Sequence, residues 1–357
     1  MKKISTIVIT SREPFNTEGN SHMHYVDELK KSHRILFVDP PESWPCKRFS
    51  VQQKEPNVVL VPYFNVFPMF ILPRFFGKLN DWFTALRIGF LLKRSQFILW
   101  QFDPYYLSSL GLLRPRRKIY FPLDYYGRDI RDKKFAKRAD LLVTVNSLFV
   151  KRGYANLNKN LLLLPHGFSS VQLIKDEERN QIEEIKAKYG NYFIFTGTLT
   201  QWLDYSLLEK VAREIRPLNL LLLGKQYVED EKLAPLKSLQ NVKFLGHVSY
   251  RRLKYYVAPA QACLVLYNFE SEGSRNPIKI TDYISQNKLV INTLKVADLQ
   301  ALEGKIIYTA QNQEEYIQLV KDCIGKQLTI DKAVVDNWKS ANTYPKLVKR
   351  IFEALRF

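Results

Sequence analysis

"ESEGSRNPIKITDYISQNKLVINT", residues 270–293, is the stretch on which the reading of this chain turns. An acidic, glycine-containing loop runs into a proline, then a short helical pattern, then the apolar strand "KLVINT". Pro277 suits the first helical position and Asn276 the N-cap, because proline lacks the N–H that a first turn leaves unpaired. The remaining free N–H groups of such a turn face the space beyond the preceding strand "CLVLYNF" and make an anion site from backbone alone. Arg275 and Lys279 add positive charge beside it, which suits a diphosphate. Asp282, about one turn deeper, could accept hydrogen bonds from vicinal hydroxyls such as those of a ribose. The same residues also fit an ordinary amphipathic helix with Ile278, Tyr283 and Ile284 turned inward.

Outward from this stretch, short apolar runs alternate with helical segments along nearly the whole chain. "STIVIT", "RILFVDP", "NVVLVPY", "QFILWQFDP", "KIYFPLDY", "ADLLVTVNS" and "NLLLLPHG" precede a polar, aperiodic passage at 169–180, and "NYFIFTGTL", "LNLLLLGK", "NVKFLGH", "CLVLYNF", "KLVINT" and "GKIIYTA" follow it. Runs of this kind are typical of parallel strands buried on both faces, with functional residues gathered at their C-terminal ends. They predict an α/β chain of two Rossmann-like doubly wound domains, residues 1–170 and 171–330, with C-terminal helices at 331–357. Pro345 is expected to separate two helices there.

Composition fits a folded chain, with 46% hydrophobic and 25% charged residues. The net charge of +19 predicts a surface that attracts anions, without separating nucleic acid, membrane and small phosphorylated molecules. Cys46, Cys263 and Cys323 are too scattered for a ligand set, and Cys263 reads as a buried small hydrophobe in a reducing compartment. The N-terminal "MKKISTIVIT" reads as a first strand rather than a signal peptide, and no stretch is long and apolar enough for a membrane helix.

The opening stretch resembles the "NPLKLYEYLAAGKPVV" signature of GT-B glycosyltransferases, family 4-like (group 1), notably those of teichuronic acid and capsular polysaccharide biosynthesis. "ADLLVTVNSLFVKRGYANLNKNLLLLPHGFS", "FTGTLTQWLDYSLLEKVA", "VKFLGHVSYRRL" and "VDPPESW" are similar to further motifs of that family, in the same order. The resemblance implies the GT-B arrangement, two domains facing across a cleft with a C-terminal helix crossing back to the first, and transfer of a sugar from a nucleotide donor. On it, Asp282 takes the ribose-holding acidic position, and Ser274 stands where the family has the earlier glutamate of its pair. Ser274, Arg275 and Asn276 line the donor diphosphate loop. Lys279 matches the motif lysine, Lys225 reaches the phosphates, and Gly197 opens the first loop of the second domain. Gly246, His247 and Val248 match the turn that meets the nucleobase, with an ordinary tight turn as the other reading. Asp204 reads as the cap of the following helix.

In the first domain, His22 and His24 are candidate bases for an inverting enzyme, or flank a helix start; a retaining mechanism would make them binders. His166, in "PHG", is a candidate donor-sugar contact or a turn residue. Asp103 and Asp124 end two strands and are candidate acceptor contacts or helix caps. No metal-ligand spacing appears, so metal independence is expected, with Arg, Lys and backbone dipoles meeting the leaving-group charge. The aromatic and basic segment 63–97, with Arg74, Lys78, Arg87, Lys93 and Arg94, and "RPRRK" at 114–118, suit a lipid interface.

The expected activity is therefore a hexosyltransferase using a UDP- or GDP-sugar as substrate, without cofactor, on a glycan or lipid-linked acceptor in cell-surface polysaccharide assembly. Such an enzyme would be cytoplasmic, or peripheral on the inner face of a bacterial membrane, with no specific nucleic acid partner. A non-catalytic subunit that kept the fold, to which Ser274 lends weight, and a sugar-nucleotide epimerase are the alternatives.

Overall fold

Most of the apolar runs become strands buried on both faces. In the computed structural model, residues 6–45, 49–107, 113–127, 129–269 and 276–355 are described. Two units divide the chain, residues 1–165 with 344–357, and residues 166–343.

The first unit holds β1 (Thr6–Thr10), β2 (Arg34–Val38), β3 (Gln52–Glu55), β4 (Val58–Val61), β5 (Phe97–Gln101), β6 (Arg117–Tyr120), β7 (Leu141–Thr144) and β8 (Leu161–Leu163). They form one sheet in the order β3-β4-β2-β1-β5-β6-β7-β8. Every pairing is parallel except that of β3 with β4. Alternation along β1 sends Ile7 and Ile9 into one core and Val8 into the other, which is why the sequence reads as continuously apolar.

The second unit holds β9 (Tyr192–Thr196), β10 (Asn219–Leu223), β11 (Val242–Gly246), β12 (Ala262–Val265), β13 (Leu289–Asn292) and β14 (Ile307–Thr309). Their order is β11-β10-β9-β12-β13-β14, all parallel. Phe193 and Phe195 of β9 face one core, Tyr192 and Ile194 the other. In each sheet the strand order reverses once, beside β1 in the first and between β9 and β12 in the second. Crevices at such reversals, at the C-terminal strand ends, are where doubly wound sheets bind ligands.

The units divide at Pro165, earlier than residue 170. Residues 166–172 are held by the second unit, where Thr281 Oγ1 donates to Gly167 O at 3.2 Å and Gln172 Nε2 to Tyr250 O at 2.7 Å. The C-terminal helices part company. Helix Lys332–Ala341 packs Val335 into the second unit, whereas helix Tyr344–Ala354, with Pro345 in its first turn, returns to the first. There Tyr344, Leu347, Ile351 and Leu355 complete the core that contains Tyr25 and Trp100.

Candidate functional site

At the reversal in the second sheet, β9 ends in Thr196 and is followed by Gly197, and β12 leads through residues 266–278 to the helix Lys279–Ser285. That helix begins two residues later than Pro277 at the first position would place it. Its first turn is irregular, with Ile280 N donating to Pro277 O and Thr281 N to Ile278 O, so Ile278 rather than Asn276 occupies the cap. Ser274 and Arg275 lie outside the described residues.

The backbone at the strand ends is unusually close. Gly197 (φ +125°) and Gly224 (φ +156°) follow β9 and β10, and a Cβ on Gly224 would fall 2.0 Å from Gly197 O. Only glycine fits such an approach without displacing the loop. Gly197 N donates to Leu223 O at 2.8 Å, Leu199 N to Lys225 O at 2.9 Å, and Gly224 N to Gly246 O at 2.7 Å. These bonds line up the turns after β9, β10 and β11, and so place Gly197, Lys225, His247 and Val248 along one edge. Lys225 and His247 are exposed there.

Lys279 reaches into the same edge. Its ammonium lies 4.0 Å from the ring centroid of Phe195 and 5.4 Å from that of Tyr267. It also fills the space where a Gly197 side chain would stand, 2.6 Å from that position. The two aromatic faces attract the cation. Among the described residues Lys279 has no carboxylate partner, nor has Lys225. Two cations beside glycine-rich strand ends can meet the charge of a phosphate group.

Asp282 is buried one turn on, and its Oδ1 accepts from Tyr250 Oη at 2.7 Å. Burial pushes its carboxyl up to about 7, against the lowering effect of the Tyr250 hydrogen bond. Tyr283, the next residue, turns the other way. Its hydroxyl accepts from Thr196 N at 2.8 Å and lies 2.9 Å from Thr196 Oγ1, pinning the end of β9 to the helix. Neither Tyr250, Tyr283, Phe195 nor Tyr267 stood out as a site residue in the sequence. An aromatic ring at a strand end gives no local signal of what it will stack on.

The remaining candidates fall elsewhere. The loop holding His166 is tied to the same helix through Gly167, and His166 itself is buried. Asp204 caps the helix Tyr205–Glu214, accepting from Leu207 N at 2.9 Å, and takes a second bond from Gln313 Nε2.

His22 and His24 sit in the first turn of helix Ser21–Leu29 with their rings buried. His22 packs near Phe37 and Phe102, with Nε2 3.4 Å from Pro14 O, and His24 lies on Tyr344 at 4.8 Å. Burial pushes both imidazoles down to about 4, so both are neutral at pH 7 and weakly basic. They are packed into the first unit's wall rather than displayed at its surface.

Asp103 follows β5, is buried, and accepts from Tyr105 N at 2.8 Å. Its Oδ2 has no hydrogen bond, and burial pushes the carboxyl up to about 7. Arg12 and Arg131 flank the Tyr105 ring at 5.8 and 4.9 Å, so Asp103 lies behind a cationic and aromatic cluster that the sequence did not single out. Asp124 is exposed after β6 and caps no helix.

No protein family matches the chain, and no curated protein sequence does. Solved structures match it over nearly its full length. Anabaena Alr3699/HepE in complex with UDP superposes with a TM-score of 0.71 at 14% identity, covering 99% of both chains. A trehalose-6-phosphate structure from E. coli bound with UDP-2-fluoro glucose does so with a TM-score of 0.66 at 12% identity, again over 99% of both. A glycosyltransferase from Rickettsia africae gives 0.68 at 15%, over 99% of this chain and 98% of the other. At these identities the likeness establishes the fold, two parallel-sheet units of the GT-B kind.

Proposed function

We propose that this chain is a glycosyltransferase that takes a sugar from a nucleoside-diphosphate donor, a UDP- or GDP-sugar, and moves it to a glycan or lipid-linked acceptor in cell-surface polysaccharide assembly. The observation that carries this reading is the Lys279 ammonium, without a carboxylate partner among the described residues and held on Phe195 and Tyr267 against Gly197 at the second sheet's reversal. HepE in complex with UDP-glucose, and UDP-bound structures of the same fold, lend support. Kinship with the family 4-like enzymes of teichuronic and capsular polysaccharide synthesis rests on the motif order alone.

In the proposed reaction the bond between the anomeric carbon and the donor diphosphate breaks, and a bond from the acceptor hydroxyl oxygen to that carbon forms. The electron pair of the broken bond leaves on the diphosphate oxygen, and the proton of the acceptor hydroxyl passes to the departing diphosphate or to solvent. Lys279 and Lys225 meet the negative charge left on the diphosphate, without a metal, where charge grows in the transition state. Asp282 accepts from ribose hydroxyls, His247 and Val248 border the base, and Asn276 belongs to the diphosphate loop. On the first unit, Asp103 and Asp124 are the proposed acceptor contacts; His166, at the start of the second unit, is a proposed donor-sugar contact. His22 and His24, both buried and weakly basic, serve here as packing groups.

Release of UDP from UDP-glucose, or GDP from GDP-mannose, in the presence of membrane-extracted polyprenyl-linked glycans tests the reading. Acceptor-dependent release supports it. Nucleotide binding without release for any donor would favour a non-catalytic binding subunit on the same fold.

A further inference from the structure

The helix Pro73–Leu92 buries one face in the first unit and carries a largely apolar stripe on the opposite one. At about 100° per residue, Asn80, Thr84, Ala85, Ile88 and Leu92 point into the sheet and are buried. Phe75, Trp82, Phe83, Leu86 and Phe90 form the opposite stripe and are exposed, Phe75 by 59%, Trp82 by 43% and Phe90 by 77%. The stripe continues into Phe70, 71% exposed, with Ile71 and Leu72 beside it. Large apolar patches on a soluble surface mark interaction sites.

Charge selects the partner. Lys78 and Arg87 project from the two margins of the stripe, one on each side, and both are exposed, as are Lys93 and Arg94 beyond the helix end. Long cationic side chains so placed keep their heads in the polar layer while their stems cover apolar surface. The helix contains one carboxylate, Asp81, and it is turned inward, accepting from Tyr63 Oη and from Leu107 N at 2.8 Å each. An acidic protein partner would find cations but little reason for eight outward aromatic and aliphatic groups, whereas an anionic bilayer satisfies both.

We infer that this outward stripe lies in the plane of an anionic lipid surface, with Phe75, Trp82 and Phe90 inserted among the acyl chains and Lys78 and Arg87 on the headgroups. No described helix is long and apolar enough to cross a membrane, so the contact is lateral. Asp81 ties the helix to Leu107, in the loop that also carries Asp103 and Tyr105. On the transferase reading above, the docked helix holds the acceptor edge of the first unit near lipid.

Sedimentation of the full chain with phosphatidylglycerol vesicles and with phosphatidylcholine vesicles, at low and high salt, tests the inference. The wild type is expected to pellet with phosphatidylglycerol at low salt and to be released by salt. The triple variant Phe75→Ser, Trp82→Ser, Phe90→Ser should bind at least about tenfold more weakly. Lys78→Gln with Arg87→Gln should lose roughly tenfold toward phosphatidylglycerol alone. All five sites are exposed, and unchanged melting curves would show that the variants fold. A wild type left in the supernatant at low salt, or pelleting that survives the triple substitution, would overturn the inference. So would a wild-type dimer in sedimentation velocity that the triple variant dissolves without any vesicle binding, since the stripe would then pair two copies. Vesicle binding needs no donor, so its failure and a failed release assay are separate results.

Discussion

At the scale of single residues, Asp282 offers the sharpest contrast between what it is for and what it costs. An aspartate in an unfolded chain titrates near 3.9, and burial pushes this one up to about 7. Between about pH 4 and pH 7 the folded state holds a proton that the unfolded state has released, so this residue lowers stability progressively as pH rises, and fully above 7. Asp282→Asn removes the charge and leaves an acceptor for Tyr250. Its melting temperature should exceed that of the wild type by a margin that widens from pH 4 to pH 8, while binding of UDP or GDP weakens. A margin independent of pH would show that Asp282 ionises normally in the folded state. Asp282 and Lys279 were legible in the sequence because each sits at a fixed distance from Pro277. Their settings were not. Tyr250 lies 32 residues from Asp282 and Tyr283 lies 87 from Thr196, and nothing local announces either pair.

At the scale of elements, the strands were readable because burial on both faces leaves no polar alternation to confuse them. The edge strand β3 (Gln52–Glu55) was missed for the opposite reason, being polar, nowhere fully buried and joined antiparallel to β4. The start of helix Lys279–Ser285 was misplaced because proline at a first position is a preference, and here a turn with bonds to Pro277 O and Ile278 O takes the first step. What fixes that helix is Tyr283. Its hydroxyl serves both the amide and the side chain of Thr196, in a fully buried place. Tyr283→Phe leaves the Thr196 amide without its acceptor, and a stability loss of about 1–3 kcal/mol follows, measurable by urea unfolding. The same variant should weaken nucleotide binding, because β9 and Gly197 lose their tether. A loss in stability with unchanged nucleotide affinity would mean that the strand end is held by the sheet alone.

At the scale of the whole molecule, the two sheets were visible as two sets of runs, yet the path of the chain after residue 330 was only partly so. Helix Lys332–Ala341 and helix Tyr344–Ala354 have similar amphipathic patterns, and only packing assigns them to different units. Leu347, Ile351 and Leu355 recur every four residues and are buried in the first unit's core. A chain ending at Thr343 should therefore melt its first unit at a lower temperature and keep the second unit folded, giving two separated calorimetric transitions. A single transition at the wild-type temperature would show that the returning helix contributes little.

The central claim is that the edge where β9 and β12 diverge holds a nucleoside diphosphate through Lys279. Calorimetric titration of the wild type and of Lys279→Ala with UDP, GDP, ADP and CMP tests it most directly. Selective binding of UDP or GDP, weakened by roughly tenfold or more in Lys279→Ala as befits loss of a charged hydrogen bond, is the expected result. Binding of none of the four at millimolar concentration, or equal affinity in wild type and variant, would contradict it.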